Sequence, residues 1–483
     1  MTSTAEKLES VGAAPAAASE DKVPAITKAA YAFGGTTDIF GHWLYYSLMF
    51  PVFIGFLGLQ PWLLSVTQAA SRLTDGFTDS YFGWRSDNTR TRWGRRRPYI
   101  LVGSILAGLA LPCLFMASPA WKGDQSKVFW FVLLTACGYA PIISSYNMPY
   151  QSLGAELTPD YNERTTIMSW RAFVQTLCGV ANAWAWWFAA LSWFNGPDGK
   201  PNIARGAMWA GAIAGFVMIL AGLGNFFFTR ERYYTKVEKQ ERVPFFTMMK
   251  QTFQCRPYRI LLLTLVLFAV PTSFVGSLGW FVQFYYVLRD HQDQAPMYGG
   301  LSGTAYGLMG VIGVPFASRL AKKIGKADAL KWALFAGVIA LGSSFWLYTP
   351  AAPILSAFCN GLYGITATGF WVLLPSMLAD VVDFDELESG KRREGAFSST
   401  FSWVLKLGTT ITLLITGPLV ELAGFDAAKA MQSPDTLLKL RIMFATIPSV
   451  ACLLAYLASR AFPLSRDKMA EIRAQLEARR GTV

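Results

Sequence analysis

Charge is scarce in this chain. Asp, Glu, Lys and Arg make up 15% of its 483 residues, where a soluble domain carries roughly 25%. So thin a supply of solvated side chains argues against an ordinary soluble enzyme and against a disordered chain. Histidine is scarcer still: there are two, and no metal-ligand spacing, Ser–His–Asp arrangement or phosphate-binding loop accompanies them. No enzyme chemistry and no cofactor is therefore read from the sequence. The six cysteines include no CxxC pair, and five sit in apolar stretches. They read as small apolar fillers, not as a zinc site or a disulfide framework. Residues 1–27 have no apolar core ahead of a small-residue cleavage site, so they are not a signal peptide. Rich in Ala, Ser, Glu and Lys, they read as a disordered cytoplasmic tail.

What is abundant is apolar and aromatic. Apolar types reach 53%, with 35 Phe, 19 Tyr and 17 Trp. About 20 apolar residues cross a hydrocarbon core as a helix, and twelve stretches qualify. In the first half they are 28–58, 61–84, 98–118, 127–156, 163–194 and 206–228; in the second, 259–289, 296–321, 328–348, 352–382, 395–423 and 437–463. An even number places both termini on one side. With the N-terminus in the cytoplasm, 32 of the 43 Lys and Arg fall in cytoplasmic segments, 8 in outer loops and 3 within helices. That excess is the positive-inside signature of an inner (plasma) membrane protein, and it accounts for the net charge of +12 without nucleic acid.

The polar segment 229–258 divides the helices six and six. A Gly, a basic cluster and a Gly recur after the second helix of each half, at Gly83 to Arg97 and at Gly313 to Lys326. The reading is an all-α membrane protein, twelve helices in two parallel six-helix repeats, the architecture of major-facilitator transporters. Its parts are a tail 1–27, a bundle 28–228, a cytoplasmic middle loop 229–258, a bundle 259–463 and a cytoplasmic tail 464–483. In that tail Met469, Ile472 and Leu476 share a helical face, which suits either the membrane surface or a solvated end.

Ionisable residues inside spanning helices are costly and usually functional. Helix 1 carries Asp38 and His42, helix 2 Arg72, Asp75 and Asp79, helix 5 Arg171 and helix 11 Lys406. Asp75 and Asp79 are one turn apart and share a face with Arg72. Two carboxylates there can hold a cation or share a proton; the bland alternative is an Arg72–Asp salt bridge. Arg171 and Lys406 lie in different halves, facing each other across a substrate path or else pairing with Asp38 and the helix 2 acids. Trp371, near a Pro in helix 10, reads as a stacking residue or as packing, and His42 as packing or hydrogen-bonded before proton relay. Asp87 with Arg95 and Arg96, and Asp380, Asp383 and Asp385 with Arg392, read as a cytoplasmic gate that latches the outward-open state or as solvated turns.

These residues carry a resemblance. Arg72-Leu-Thr-Asp75-Gly-Phe-Thr-Asp79 with Gly83 and Arg92-Trp-Gly-Arg-Arg-Arg-Pro98 resembles the second helix and following loop of glycoside–pentoside–hexuronide:cation symporters. So do Tyr146-Asn147-Met-Pro149-Tyr150, Gly369-Phe-Trp371-Val, and Asp380-Val-Val-Asp383-Phe-Asp385 followed by Lys406. The resemblance implies symport of a sugar or glycoside with H⁺ or Na⁺ by alternating access, and a monomer as the family expectation. It assigns Asp75, Asp79, Thr78 and Ser144 to the coupling cation, and Asp38, Arg72, Asn147, Gln151, Arg171, Trp371 and Lys406 to the substrate. The family's best known member has an Asp and a Trp where this chain has Asn147 and Gln151, which leaves room for an anionic hexuronide. The alternative is a carrier of a non-sugar amphiphile such as a lysophospholipid.

Overall fold

The computed structural model describes residues 23–158, 161–196, 199, 201–229, 252–390, 393–429 and 431–480. Most of the expected N-terminal tail and middle loop, and Arg392 of the expected gate, lie outside the described residues. Among the described residues twelve long helical runs follow one another: α1 Ala25–Phe56, α2 Pro61–Asn88, α3 Arg97–Phe115, α4 Gln125–Glu156, α5 Tyr161–Ala183, α6 Ile203–Phe228, α7 Arg256–Val287, α8 Ala295–Ile324, α9 Lys326–Leu347, α10 Ile354–Ser389, α11 Glu394–Leu422 and α12 Pro434–Arg460. A terminal helix, α13, spans Arg466–Arg480.

Ten of the twelve are long and apolar enough to cross a membrane. The two that fall short are α2 and α5, which carry Arg72, Asp75, Asp79 and Arg171. Their charges lower their hydropathy, and neighbouring helices supply the partners that lipid lacks. The fifth apolar stretch breaks earlier than its sequence suggests: α5 stops at Ala183, and a short helix Ala185–Ala189 follows. α1 passes through two π-helical segments, Phe40–Leu44 and Phe50–Phe56, the second holding Pro51. Such widened turns are frequent at functional sites, and His42 stands in the first.

The packing pattern repeats with a shift of six. α1 packs on α5 and α6, α2 on α4, and α3 on α4 and α6; α7 packs on α11 and α12, α8 on α10, and α9 on α10 and α12. Across the halves α2 meets α11 and α5 meets α8, pairs that exchange under the same shift. Close approach rests on small residues. A Cβ on Gly215 of α6 would lie 2.1 Å from the Gly108 carbonyl oxygen of α3, and one on Gly364 of α10 would lie 2.4 Å from the Tyr306 carbonyl oxygen of α8. Cys359 and Cys452 fill buried positions and donate to the carbonyls of Ala340 and Leu334.

The halves are joined at the end opposite the basic loops. Phe50 of α1 stacks on Trp280 of α7 with ring centroids 5.9 Å apart. Trp184 Nε1 donates to Thr304 Oγ1 at 2.9 Å, and the Gly417 amide of α11 donates to Ser65 Oγ of α2 at 2.8 Å. At the basic end α13 lays Met469, Ile472 and Leu476 into the core of the second half. That apolar face is covered by protein, so it is neither solvated nor turned to a membrane surface.

Candidate cation and substrate site

Midway along α2, Arg72, Asp75 and Asp79 project from one face, as their spacing requires. Asp75 is buried. Lys406 of α11 reaches between the two acids: its Nζ donates to Asp75 Oδ2 at 3.3 Å and to Asp79 Oδ2. Arg72 Nη1 lies 3.9 Å from Asp75 Oδ2, with its guanidinium 4.6 Å over the Tyr46 ring. From α4, Ser144 Oγ donates to Asp75 Oδ1 at 3.3 Å and shares a 2.9 Å hydrogen bond with Thr78 Oγ1. Two carboxylates and two cations thus balance in a low-dielectric setting, where an unpaired charge would be costly. Both bland pairings of the sequence, Arg72 with an acid and Lys406 with the helix 2 acids, are present together.

His42 closes the group from α1. Its Nε2 lies 3.8 Å from Asp75 Oδ1, and its Nδ1 accepts from Asn147 Nδ2 of α4 at 3.2 Å. The other amide atom, Asn147 Oδ1, is buried without a hydrogen-bond partner. His42 therefore bridges the acid pair and Asn147, a hydrogen-bonded role that the sequence allowed without naming these partners.

A second pair stands between α1 and α5. Arg171 Nη2 donates to Asp38 Oδ2 at 3.2 Å, and Gln175 Nε2 donates to the same oxygen at 2.7 Å. The guanidinium lies 5.1 Å over the ring of Tyr150, which is itself held by a hydrogen bond from its hydroxyl to the Tyr31 carbonyl at 2.7 Å. Gln175 was not foreseen. Gln151 is exposed at the surface of α4. Trp371 is half-buried, its ring edge-on to Phe370 and Phe268. Among the described residues neither Gln151 nor Trp371 hydrogen-bonds to either charged group. No group of three His, Cys, Asp or Glu among them could hold a metal ion on its own.

The basic end carries two further networks. Arg96 Nη2 lies 2.8 Å and Arg95 Nη1 4.0 Å from Asp87 Oδ1, and both arginines also reach Glu156 of α4. In the second half Asp380 Oδ1 accepts from Lys326 Nζ at 2.8 Å and from Arg473 Nη2 at 2.9 Å, while Asp385 takes Arg393. Asp383 lies on the same helix. Glu156, Lys326 and Arg473 come from distant segments, which is why local spacing did not point to them. Each of these ion pairs lies within one half.

Over residues 28–466 the chain matches the family described as MFS/sugar transport protein. The putative glycoside/cation symporter YagG of Escherichia coli (strain K12) is 27% identical over 412 residues, spanning 81% of this chain and 82% of the relative. The glucuronide carrier protein homolog of the same organism is 25% identical over 414 residues, spanning 85% and 86%. Among solved structures, a D-xylose–proton symporter superposes with a TM-score of 0.60 at 15% identity, covering 91% of this chain and 97% of its own. The last is a likeness of fold.

Proposed function

Because the chain belongs to the MFS/sugar transport family of glycoside–pentoside–hexuronide:cation symporters, we propose that it carries a sugar or glycoside together with a cation by alternating access. The observation that carries this reading is the Lys406 ammonium shared by Asp75 and Asp79 across the α2–α11 contact. A coupling cation bound by Asp75, Asp79, Thr78 and Ser144 must compete with that ammonium for the same oxygens. Cation arrival then frees α11 from α2, so ion occupancy and the inter-half contact are one equilibrium. The oxygen set suits Na⁺, and the adjacent carboxylates equally suit a proton, since two like charges this close hold one.

The substrate contacts follow the same logic. Asn147 offers an unpartnered Oδ1 to a hydroxyl. Arg171 offers a planar pair of donors to a sugar hydroxyl or a hexuronide carboxylate, but only once it gives up Asp38. Arg72, Gln151 and Trp371 complete the set around the path between the halves. With the basic loops in the cytoplasm and both termini beside them, the contacts of Phe50, Trp184 and Ser65 close the outer side, and the site opens inward. The networks of Asp87, Arg95, Arg96, Asp380 and Asp383 would then meet across the halves in the outward-open state. The protein works as a multi-pass monomer in the inner membrane. Likeness to a putative glycoside/cation symporter and a glucuronide carrier homolog favours this over a lysophospholipid carrier.

Uptake by vesicles of labelled glycosides and glucuronides tests it, with an imposed Na⁺ or proton gradient. Asp75→Asn and Asp79→Asn should lose accumulation against a gradient and keep exchange. Undiminished uphill uptake in both variants would remove the cation assignment.

A further inference from the structure

A cavity of about 540 Å³ lies at the basic end, between the α8–α9 turn, Asp380 of α10 and the start of α13, within the size range of ligand pockets. Its rim holds Lys322, Lys326, Arg466 and Arg473 against one carboxylate, Asp380. That carboxylate is already shared by Lys326 and Arg473. Lys322 and Arg466 pair with no acid among the described residues; Arg466 donates instead to the Lys323 carbonyl oxygen at 3.3 Å. Four cations thus face the cavity with one negative charge between them.

The backbone adds to this excess. α9 starts at Lys326 with Gly325 before it, at φ +92°, and no side chain caps its first amides. A Cβ on Gly325 would meet Arg466 Cβ at 3.3 Å, so glycine lets the turn and α13 approach this closely. The orphan N–H groups of a 22-residue helix attract an anion. Below the rim the wall is apolar, from Met377, Phe462 and Leu464, all buried. It lies beside the ends of α8 and α12, two helices long and apolar enough to span a membrane.

We propose that this cavity binds a phosphate group, and that its cationic rim over an apolar wall is built for the headgroup of an anionic phospholipid. The lipid would tie α13 to the α8–α9 turn alongside Asp380. A free phosphate would meet the rim but leave the wall unused.

The test uses the full-length purified protein and its Lys322→Gln/Arg466→Gln variant, which leaves the Asp380 pairs in place. Thermal midpoints are read in phosphatidylcholine nanodiscs, in nanodiscs with phosphatidylglycerol added, and in phosphatidylcholine with inorganic phosphate at constant ionic strength. A ligand of the folded state raises the midpoint by mass action. The expected result is a rise with phosphatidylglycerol, absent in the variant, and little effect of inorganic phosphate. A rise with inorganic phosphate of equal size, also absent in the variant, keeps the site and changes the source. Equal midpoints in all three media, or a phosphatidylglycerol effect that survives in the variant, would overturn the proposal. Asp380→Asn gives a second reading: with the competing carboxylate neutral, half-saturation should need less phosphatidylglycerol, and an unchanged or weaker response counts against the site.

Discussion

Replacing Lys406 with Met separates the two roles that this side chain can have. Met keeps most of the apolar stem and removes the ammonium. In the native contact that ammonium serves Asp75 at 3.3 Å and also Asp79. Removing one partner of a buried ion pair costs about 3–5 kcal/mol. The lower end applies here, because Lys406 is 29% exposed and one of the two acids can take up a proton. If the cation and Lys406 compete for the same oxygens, the lost competition returns as affinity. Even 1.4 kcal/mol of it is a tenfold tighter cation constant. The variant should therefore melt lower than wild type without cation, recover on adding it, and bind it at least about tenfold more tightly. Uphill transport should fail, since α11 no longer returns to α2 when the site empties. Calorimetry and thermal shift against Na⁺, and against pH in its absence, measure the constants. Equal or weaker cation binding in Lys406→Met would refute competition and leave Lys406 as an orienting residue.

Three further outcomes follow from the same geometry. Arg171→Lys keeps the charge beside Asp38 and loses the planar fork, so glucuronide uptake should fall at least about tenfold in kcat/KM while neutral glycosides lose less; equal loss for both would deny Arg171 a carboxylate. His42→Ala removes the contacts to Asp75 and Asn147, and should reduce the dependence of substrate KM on cation concentration, measured in vesicles; an unaltered dependence would return His42 to packing. Gly215→Ala puts a methyl 2.1 Å from the Gly108 carbonyl oxygen, where backbone cannot yield as a side chain can. It should cost about 1–3 kcal/mol or more, seen as a lower melting midpoint, whereas Gly179→Ala, with open space around it, should be nearly silent.

Helix placement was legible because lipid demands length and apolarity from each span independently. The bounds of α1, α6 and α12 fall within three residues of their apolar stretches. α5 ended early because Trp184 and the residues around it pack on α8 at Gly300 and Gly303, a tertiary fact that hydropathy does not carry. The acid pair of α2 was legible because helical spacing places Asp75 and Asp79 on one face. The partner of that pair was less so: Lys406 lies 327 residues from Asp79, and the sequence left it facing substrate or acids. Gln175, Glu156 and Arg473, and the partners of His42 and Lys326, are not legible in the sequence for one reason. Each makes its contact across helices or to a terminal segment, and local periodicity is blind to such pairs.

The six-helix shift that relates the halves also exchanges the two seams between them, α2–α11 and α5–α8, yet the side chains are not exchanged with it. The α5–α8 seam is uncharged at its contacts. Gly303 meets Ala183 and Gly307 meets Val180 of α5, while Gly300 and Gly299 meet Trp184 and Trp186 just beyond its end. Such contacts gain from close fit and are indifferent to ions. The α2–α11 seam holds Asp75, Asp79 and Lys406 in its middle, so its strength varies with whatever cation occupies the acids. One scaffold thus offers a constant seam and an ion-dependent one. A cation that weakens α2–α11 leaves α5–α8 intact, which makes the latter the natural pivot. The coupling cation should therefore act unequally: a cysteine crosslink across Phe77 of α2 and Trp403 of α11, whose rings meet edge to face, should form at a rate set by that cation, and one across Thr304 and Trp184 should not. Equal cation dependence at both seams would mean that the halves part as a whole, without a pivot.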